Sequence, residues 1–282
     1  MGLNFIKRIT QIRNIFTSAI AQNNIHRGLQ VAQFLADNLY NNPKYASNKR
    51  LNKHEYQVFS QNGEDGIIAE IFNRIGLTNK YFIEFGVTEG LECNSLNLLY
   101  KQWQGLWIDG DPEYIKKINT RFSDFIGDKR LTVRNNFITA ENIESIFDGA
   151  GVPAEPDMLS IDIDYNDYYI WQAITKYRPR VVVIEYNSNF RPDTHFVVKY
   201  NAQRTYDGTS FFGASLLALE QLGREKGYVL VGCVFTGSNA FFVREDLIAD
   251  HFEAPYTANN HYEPNRDFLY YINGHRRNHI PD

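Results

Sequence analysis

Four groups of residues in this 282-residue chain have types and spacings that could do chemistry. The first is E-x-G-x-x-x-G, formed by Glu84, Gly86 and Gly90 and followed by Asp109. Glycines at the end of a strand let the backbone pass close to a ligand that a Cβ would exclude. An acid at the tip of the next strand can accept both hydroxyls of a ribose. Asp109 is the first choice for that role and Asp111 the alternative. The phosphate-cradling patterns G-x-G-x-x-G and G-x-x-x-x-G-K-[ST] are both absent. The alternative reading is that these glycines only close a turn. The second group is Asp162, Asp164 and Asp167, followed by Glu185 and Asn187. Carboxylates converging at neighbouring strand tips repel one another unless something offsets them. A divalent cation such as Mg²⁺, bound by Asp162, Asp164, Glu185 and Asn187, is one solution. In the other reading, Asp164 caps a helix and Asp162 orients substrate or takes its proton without metal. The third is His195, whose imidazole could act as a general base beside Asp162; a solvated loop histidine is the plain alternative. The fourth is Ser60-Gln61-Asn62-Gly63-Glu64, at the start of a helical stretch. Ser60 or Asn62 can cap that helix, and Ser60, Gln61 and Glu64 are candidates to touch a cofactor or substrate.

These residues need a scaffold, and the apolar pattern supplies one. Tyr81–Phe85 reads as a first buried strand. A helical pattern from Asn94 to Gln102 follows, then a second short strand at Leu106–Ile108. Alternation continues with a helix over 112–122, a strand over 131–138, a short helix over 140–147 and a strand over 157–164. A helix over 167–177 and a strand over 180–187 come next. Strands separated by helices argue for a parallel sheet. Ser188–Phe212, holding Arg191, His195, Lys199, Tyr200, Tyr206 and Asp207, is long and irregular, as lids and binding loops are. An amphipathic helix over 213–227 leads to a sixth strand over 228–235. Gly237-Ser238 then turns as a two-residue hairpin into Asn239–Arg244. The order is that of a doubly wound, Rossmann-like, seven-stranded sheet whose last strand is antiparallel.

Residues 1–55 differ from the rest and read as a helical extension, with a main domain over 56–282. Lys7, Arg8, Arg13 and Arg27 precede the first acid, Asp37. Leu3, Phe5, Ile6, Ile9, Ile12, Phe16 and Ile20 recur at helical spacing, giving a basic amphipathic helix. Such a stripe can lie on a membrane surface, act as a transit-like segment, or pack on its own domain or a sister subunit. Packing, including a homodimer, is the expectation. A second helix is expected over 26–40 and a linker over 41–53. A formal charge of −4 argues against a general nucleic-acid surface, and the 43% hydrophobic content suffices for a sizeable core. No apolar run approaches the length of a membrane span, and cations interrupt the N-terminal stripe where a secretory signal would be apolar. The expectation is a cytoplasmic protein. Cys93 and Cys233 are far apart and lack metal-site spacing.

Taken in order, FIEFGVTEG, GLWIDGD, SIDIDYNDYYIW, RPRVVVIEYN and GASLLALEQLGREKGYVLVGC with SNAFFVR resemble the FkbM-like group of S-adenosylmethionine-dependent methyltransferases over roughly residues 57–247. That resemblance implies a class I methyltransferase fold and O-methyl transfer to a sugar, polysaccharide precursor or other small polyol. It implies that Glu84, Gly86 and Gly90 line the methionine end of the cofactor and that Asp109 holds its ribose. Asn136, at the third strand's end, falls near the adenine, and Gln61 and Asp162 border the same crevice. The strand-tip acids are similar in placement to those of metal-dependent O-methyltransferases, which use Mg²⁺ or Mn²⁺. Two departures stand out. Thr88 occupies the usual middle-glycine position, and Tyr186 separates Glu185 from Asn187. Two other readings are a non-catalytic binding protein on this fold and another nucleotide- or nucleotide-sugar-using α/β enzyme.

Overall fold

The computed structural model describes residues 2–205 and 207–269, with the backbone alone for residues 2–12. Tyr206, the tail beyond 269 and the apolar side chains from Leu3 to Ile12 therefore lie outside the described residues. The chain divides into two compact units. Residues up to 46 join 267–269 in the first, and residues 47–266 form the second.

The first unit is one long helix, α1 (Gly2–Leu35), running into a π turn at Ala36–Tyr40. A single helix replaces the two expected. Asn23 and Asn24 are only mildly unfavourable in a helix, and Gly28 sits in open space, so nothing breaks the backbone ladder. Phe34 meets Phe268 edge to face at 5.2 Å.

The second unit contains the sheet. Its strands are β1 (Tyr81–Phe85), β2 (Gln104–Asp109), β3 (Leu131–Asn135), β4 (Met158–Ile161), β5 (Val181–Glu185), β6 (Tyr228–Cys233) and β7 (Asn239–Arg244). The order is β3-β2-β1-β4-β5-β7-β6. β1 to β5 pair in parallel, and β7 runs antiparallel to both β5 and β6. This is the doubly wound sheet with one antiparallel strand that the sequence predicts. The order reverses between β1 and β4, so a crevice for ligand opens beyond Phe85 and Ile161.

Helices connect the strands: α2 (Glu64–Ile75), α3 (Leu96–Tyr100), α4 (Pro112–Arg121), α5 (Ser123–Gly127), α6 (Ile143–Ala150), α7 (Asp167–Ala173), α8 (Leu216–Glu225) and α9 (Ala258–His261). Alternate side chains divide between the two faces of each strand. Ile83, Leu106, Leu159, Val182 and Phe242 pack with Ile143, Phe147, Trp171, Leu219 and Leu222 in one core. On the opposite face, Trp107 is wholly buried and meets Phe122 edge to face at 4.9 Å. Gly105 leaves room for Phe82 on the neighbouring strand, because a Cβ there would lie 2.2 Å from the Phe82 ring.

The sheet is locked at the N-terminal ends of its strands. The Asp157 carboxylate, fully buried, accepts from the backbone N–H groups of Thr78, Asn79 and Lys80 and pairs with Arg180 at 2.7 Å. Arg180 also donates to the carbonyls of Ile75 and Gly76, closing the end of α2. Both members of this buried pair thus make hydrogen bonds beyond the pair itself, which offset the cost of desolvating them.

Three local expectations differ from the structure. The stretch 41–53 is no free linker. Ser47 donates to Glu253 at 2.6 Å, Arg50 to the Asn260 carbonyl at 3.0 Å and Asn52 to the Cys233 carbonyl at 2.8 Å, tying 47–53 to the second unit. The helix expected to be capped by Ser60 or Asn62 begins at Glu64 with Gly63 in the cap position, because Asp65 draws the N–H groups of Val58, Phe59 and Ser60 into a compact loop. The β6–β7 turn spans four residues, 235–238. It is closed by the Val234 N–H to Asn239 carbonyl bond, with Gly237 at a φ of 84°. Both cysteines are buried and free.

Candidate functional site

Gly86 ends β1 with a φ of 75°, and a Cβ placed there would lie 1.6 Å from the Asp162 carbonyl oxygen. The first and fourth strand tips therefore touch through backbone alone, at the point where the strand order reverses. This contact sets the floor of the crevice. Thr88, two residues on, also adopts the left-handed region at 49°. A β-branched side chain on left-handed backbone is a costly choice.

Asp109 holds the next part together. It is 8% exposed at the end of β2. One carboxylate oxygen accepts the Thr88 N–H at 2.8 Å and the other the Asp111 N–H at 2.8 Å. Burial pushes its carboxyl up from the usual range, and the two backbone donors hold it down. Each oxygen retains acceptor capacity, so a vicinal diol could bind the same carboxylate. Asp111 has other work, capping α4 through the Glu113 N–H at 2.8 Å. Beyond β3, the Asn136 N–H donates to the Asp109 carbonyl at 3.0 Å. Asn136 is exposed, and Phe137 stands beside Gly110 and is half exposed. Sequence reasoning passed over Phe137, although an exposed aromatic ring beside a strand-tip acid is a stacking surface for a planar base.

Two residues assigned to the cofactor are used otherwise. Glu84 is buried, and its carboxylate accepts from the N–H groups of Asn94 and Ser95, each at 2.8 Å, and from the Ser95 hydroxyl. Ser160 adds a contact at 3.3 Å. Burial raises the Glu84 carboxyl. Glu84 thus anchors the entry of α3 and shapes the 86–95 loop from beneath. Gly90 makes room for core rings, since a Cβ there would lie 2.7 Å from Trp107 and 3.0 Å from Phe122.

The strand-tip acids do converge. Asp162, Asp164 and Glu185 each bring one carboxylate oxygen within 4.8 Å of the others. Asp162 is half-buried and has no hydrogen-bond partner among the described residues. Its carboxyl is pushed well above the usual range by burial, then by the charges of Asp167, Asp164, Glu84 and Glu64. Asp167, fully buried, accepts the Ile163 N–H at 2.8 Å through one oxygen, while the other oxygen has no partner. Burial raises its pKa to about 6. The set is all hard oxygen donors, and it fits Mg²⁺ or Mn²⁺.

Asn187 does not serve that set. Its amide nitrogen donates to the Ser210 and Phe212 carbonyls at 2.8 and 3.1 Å, and its amide oxygen accepts from Asn189. It lies two residues past the end of β5 at Glu185, where the chain has left the strand, and it fastens the base of the long loop. His195 is exposed on that loop, with no hydrogen bond or ion pair to the acids among the described residues. The loop itself is moored along its length. Tyr169 donates to the Val198 carbonyl, Asn166 to the Asn201 carbonyl and Tyr200 to Glu141. It therefore runs from the tip of β5 to the connection after β3.

On the other side of the crevice, Ser60 donates to Asp65, and its hydroxyl takes the Asp65 N–H, while Gly63 occupies the cap position. Gln61 is exposed in this loop. Glu64 accepts from Asn62 and from Asn239, and Asn239 sits opposite Glu185 across the β5–β7 pair. The sequence offered no signal for Asn239, whose role comes from strand register alone.

No family model matches the chain, and no curated protein matches it. Solved structures do resemble it. Magnesium protoporphyrin IX methyltransferase (ChlM) from Synechocystis PCC 6803 with bound SAM has a TM-score of 0.44 at 11% identity, over 64% of this chain and 77% of that one. The N-terminal domain of EvdMO1 with SAH bound has a TM-score of 0.38 at 11% identity, over 67% and 80%. An S-adenosylmethionine-dependent methyltransferase from Clostridium acetobutylicum ATCC 824 has 0.40 at 12% identity, over 63% and 89%.

Proposed function

We propose that this chain is an S-adenosylmethionine-dependent O-methyltransferase of the FkbM-like kind, acting on a sugar, a polysaccharide precursor or another small polyol. The observation that carries the reading is Asp109, a buried strand-tip carboxylate that braces the Gly86–Gly90 loop through Thr88 and keeps acceptor capacity for a ribose diol. Phe137 and Asn136 border the place where the adenine would lie, and the backbone past Gly86 leaves room for the methionine end.

Methyl transfer to a hydroxyl needs the nucleophile aligned with the sulfonium and relieved of its proton. Asp162 is the residue for that step, because its backbone touches Gly86 and its carboxylate is uncommitted. His195 is the weaker choice, being exposed and unconnected to the acids. Asp162, Asp164 and Glu185 would hold a divalent ion. Such an ion, when bound, lowers the pKa of an acceptor hydroxyl.

The test is calorimetric titration of the full chain with S-adenosylhomocysteine, with and without Mg²⁺ or Mn²⁺, for the native protein and Asp109→Ala. The expected result is binding that weakens by about ten- to a hundred-fold in the variant, as loss of hydrogen bonds to a charged group implies. Absence of binding in the native protein would overturn the cofactor assignment and favour a nucleotide-diphosphate ligand or a non-catalytic role. No heat with metal ions would remove the metal and leave Asp162 acting alone.

A further inference from the structure

The described part of α1 exposes large apolar side chains to solvent. Ile15, Phe16, Ile20, Ile25 and Leu29 are 60–68% exposed. The sequence predicts that this stripe packs on its own domain or on a sister subunit, yet among the described residues nothing covers these side chains. At 100° per residue, Ile15, Phe16 and Ile20 share an arc of about 140°, with Asn14, Thr17 and Ser18 opposite. The sequence carries the same spacing back through Ile12, Ile9 and Phe5. Ile25 and Leu29, one turn apart, face another side.

Charge decides what covers the arc. The first 36 residues hold Lys7, Arg8, Arg13 and Arg27 and no acid. A second copy of α1 would bring like charges together, without the opposite-sign pairs that fix helix–helix partners. An anionic bilayer surface satisfies both features, taking apolar side chains into its acyl boundary and cations at its headgroups. No helix among the described residues is long and apolar enough to cross a membrane. We propose that α1 is an in-plane anchor that binds anionic lipid surfaces through the Ile15–Phe16–Ile20 face.

The test is co-sedimentation of the full chain with vesicles of phosphatidylcholine and phosphatidylglycerol, against vesicles of phosphatidylcholine alone. Three proteins are compared: native, Ile15→Gln/Phe16→Gln/Ile20→Gln, and Ile25→Gln/Leu29→Gln. All the changed side chains are exposed and no charge is altered, so equal melting temperatures confirm equal folding. The native protein and the double variant should bind the anionic vesicles and release at about 0.5 M salt, where screening is short-ranged. The triple variant should bind at least about tenfold less. Equal binding by the triple variant, or no binding by the native protein, would overturn the proposal. So would a native oligomer that the triple variant dissolves while vesicle binding is absent, because the face would then belong to a second copy.

Discussion

Gly86→Ala would break the contact on which the crevice is built, and Gly151→Ala supplies the control. Both glycines have positive φ, 75° and 68°. A Cβ at Gly151 meets nothing within 4 Å, whereas at Gly86 it lies 1.6 Å from the Asp162 carbonyl oxygen. Left-handed backbone costs an L-residue about 1–2 kcal/mol, and that cost falls on both variants. Only Gly86→Ala must also move a carbonyl, from 1.6 Å to about 3 Å, in a tip held by the β1–β4 ladder. Overpacking of that order adds about 1–3 kcal/mol. The expected losses in urea unfolding are therefore about 1–2 kcal/mol for Gly151→Ala and about 2–5 kcal/mol for Gly86→Ala. In a domain of this size the second corresponds to a fall in Tm of about 4–20 °C. S-adenosylhomocysteine affinity should drop in Gly86→Ala and stay native in Gly151→Ala. Equal losses in the two variants, or native cofactor affinity in Gly86→Ala, would refute the claim that the strand tips meet through that backbone contact.

The remaining predictions concern the acids and the strained loop. Asp157→Ala leaves Arg180 buried without its partner and three N–H groups unmet, so a loss of about 3–5 kcal/mol is expected in chemical denaturation. The native Asp157 carboxyl is held low because hydrogen bonds from Arg180, Thr78 and Lys80 outweigh burial. Its stabilisation is complete above the unfolded value of about 3.9 and disappears as pH falls through the lower native value, which Asp157→Asn should show as a flatter acid limb. Asp167 has the opposite sign. With its pKa raised to about 6, its proton uptake favours the folded state below about pH 4 and is lost as pH rises through 6, so the apo protein should melt higher at pH 5.5 than at 7.5. That difference should shrink in Asp167→Asn. Thr88→Gly removes a β-branched residue from left-handed backbone and should leave stability within about 1 kcal/mol of native, because relief of strain is offset by a more flexible unfolded chain. A larger fall would mean that the Thr88 side chain has structural work.

The sheet was legible because buried parallel strands advertise themselves. Runs such as RVVVIEYN have one meaning when flanked by helical periodicity, and all seven strands appear within a few residues of their expected places. Glu84 was misjudged because a sequence shows an acid near glycines but not which way it points. Alternation along β1 turns it inward, where Ser95 and Asn94 receive it. Asn187 was misread because β5 ends at Glu185, and beyond a strand end alternation no longer fixes which way a side chain points. Gly90 shows that the need for a glycine can lie behind a loop rather than in front of it. The long helix escaped because two polar asparagines imitate a break without making one. Asp109 could be placed at the tip of β2 because the apolar pattern fixes where that strand ends.

The two ends of the sheet do different jobs. At one end Asp157 and Arg180 stitch the second unit together with their hydrogen-bonding groups matched. At the other, Asp162, Asp164 and the outer oxygen of Asp167 are left unmatched. Substitutions scored separately for protein abundance and for turnover should therefore sort by end. On the proposed function, a lineage could exchange strand-tip residues for a new acceptor while the stitched end keeps the fold, so chemistry and folding would be open to separate selection in one 282-residue chain.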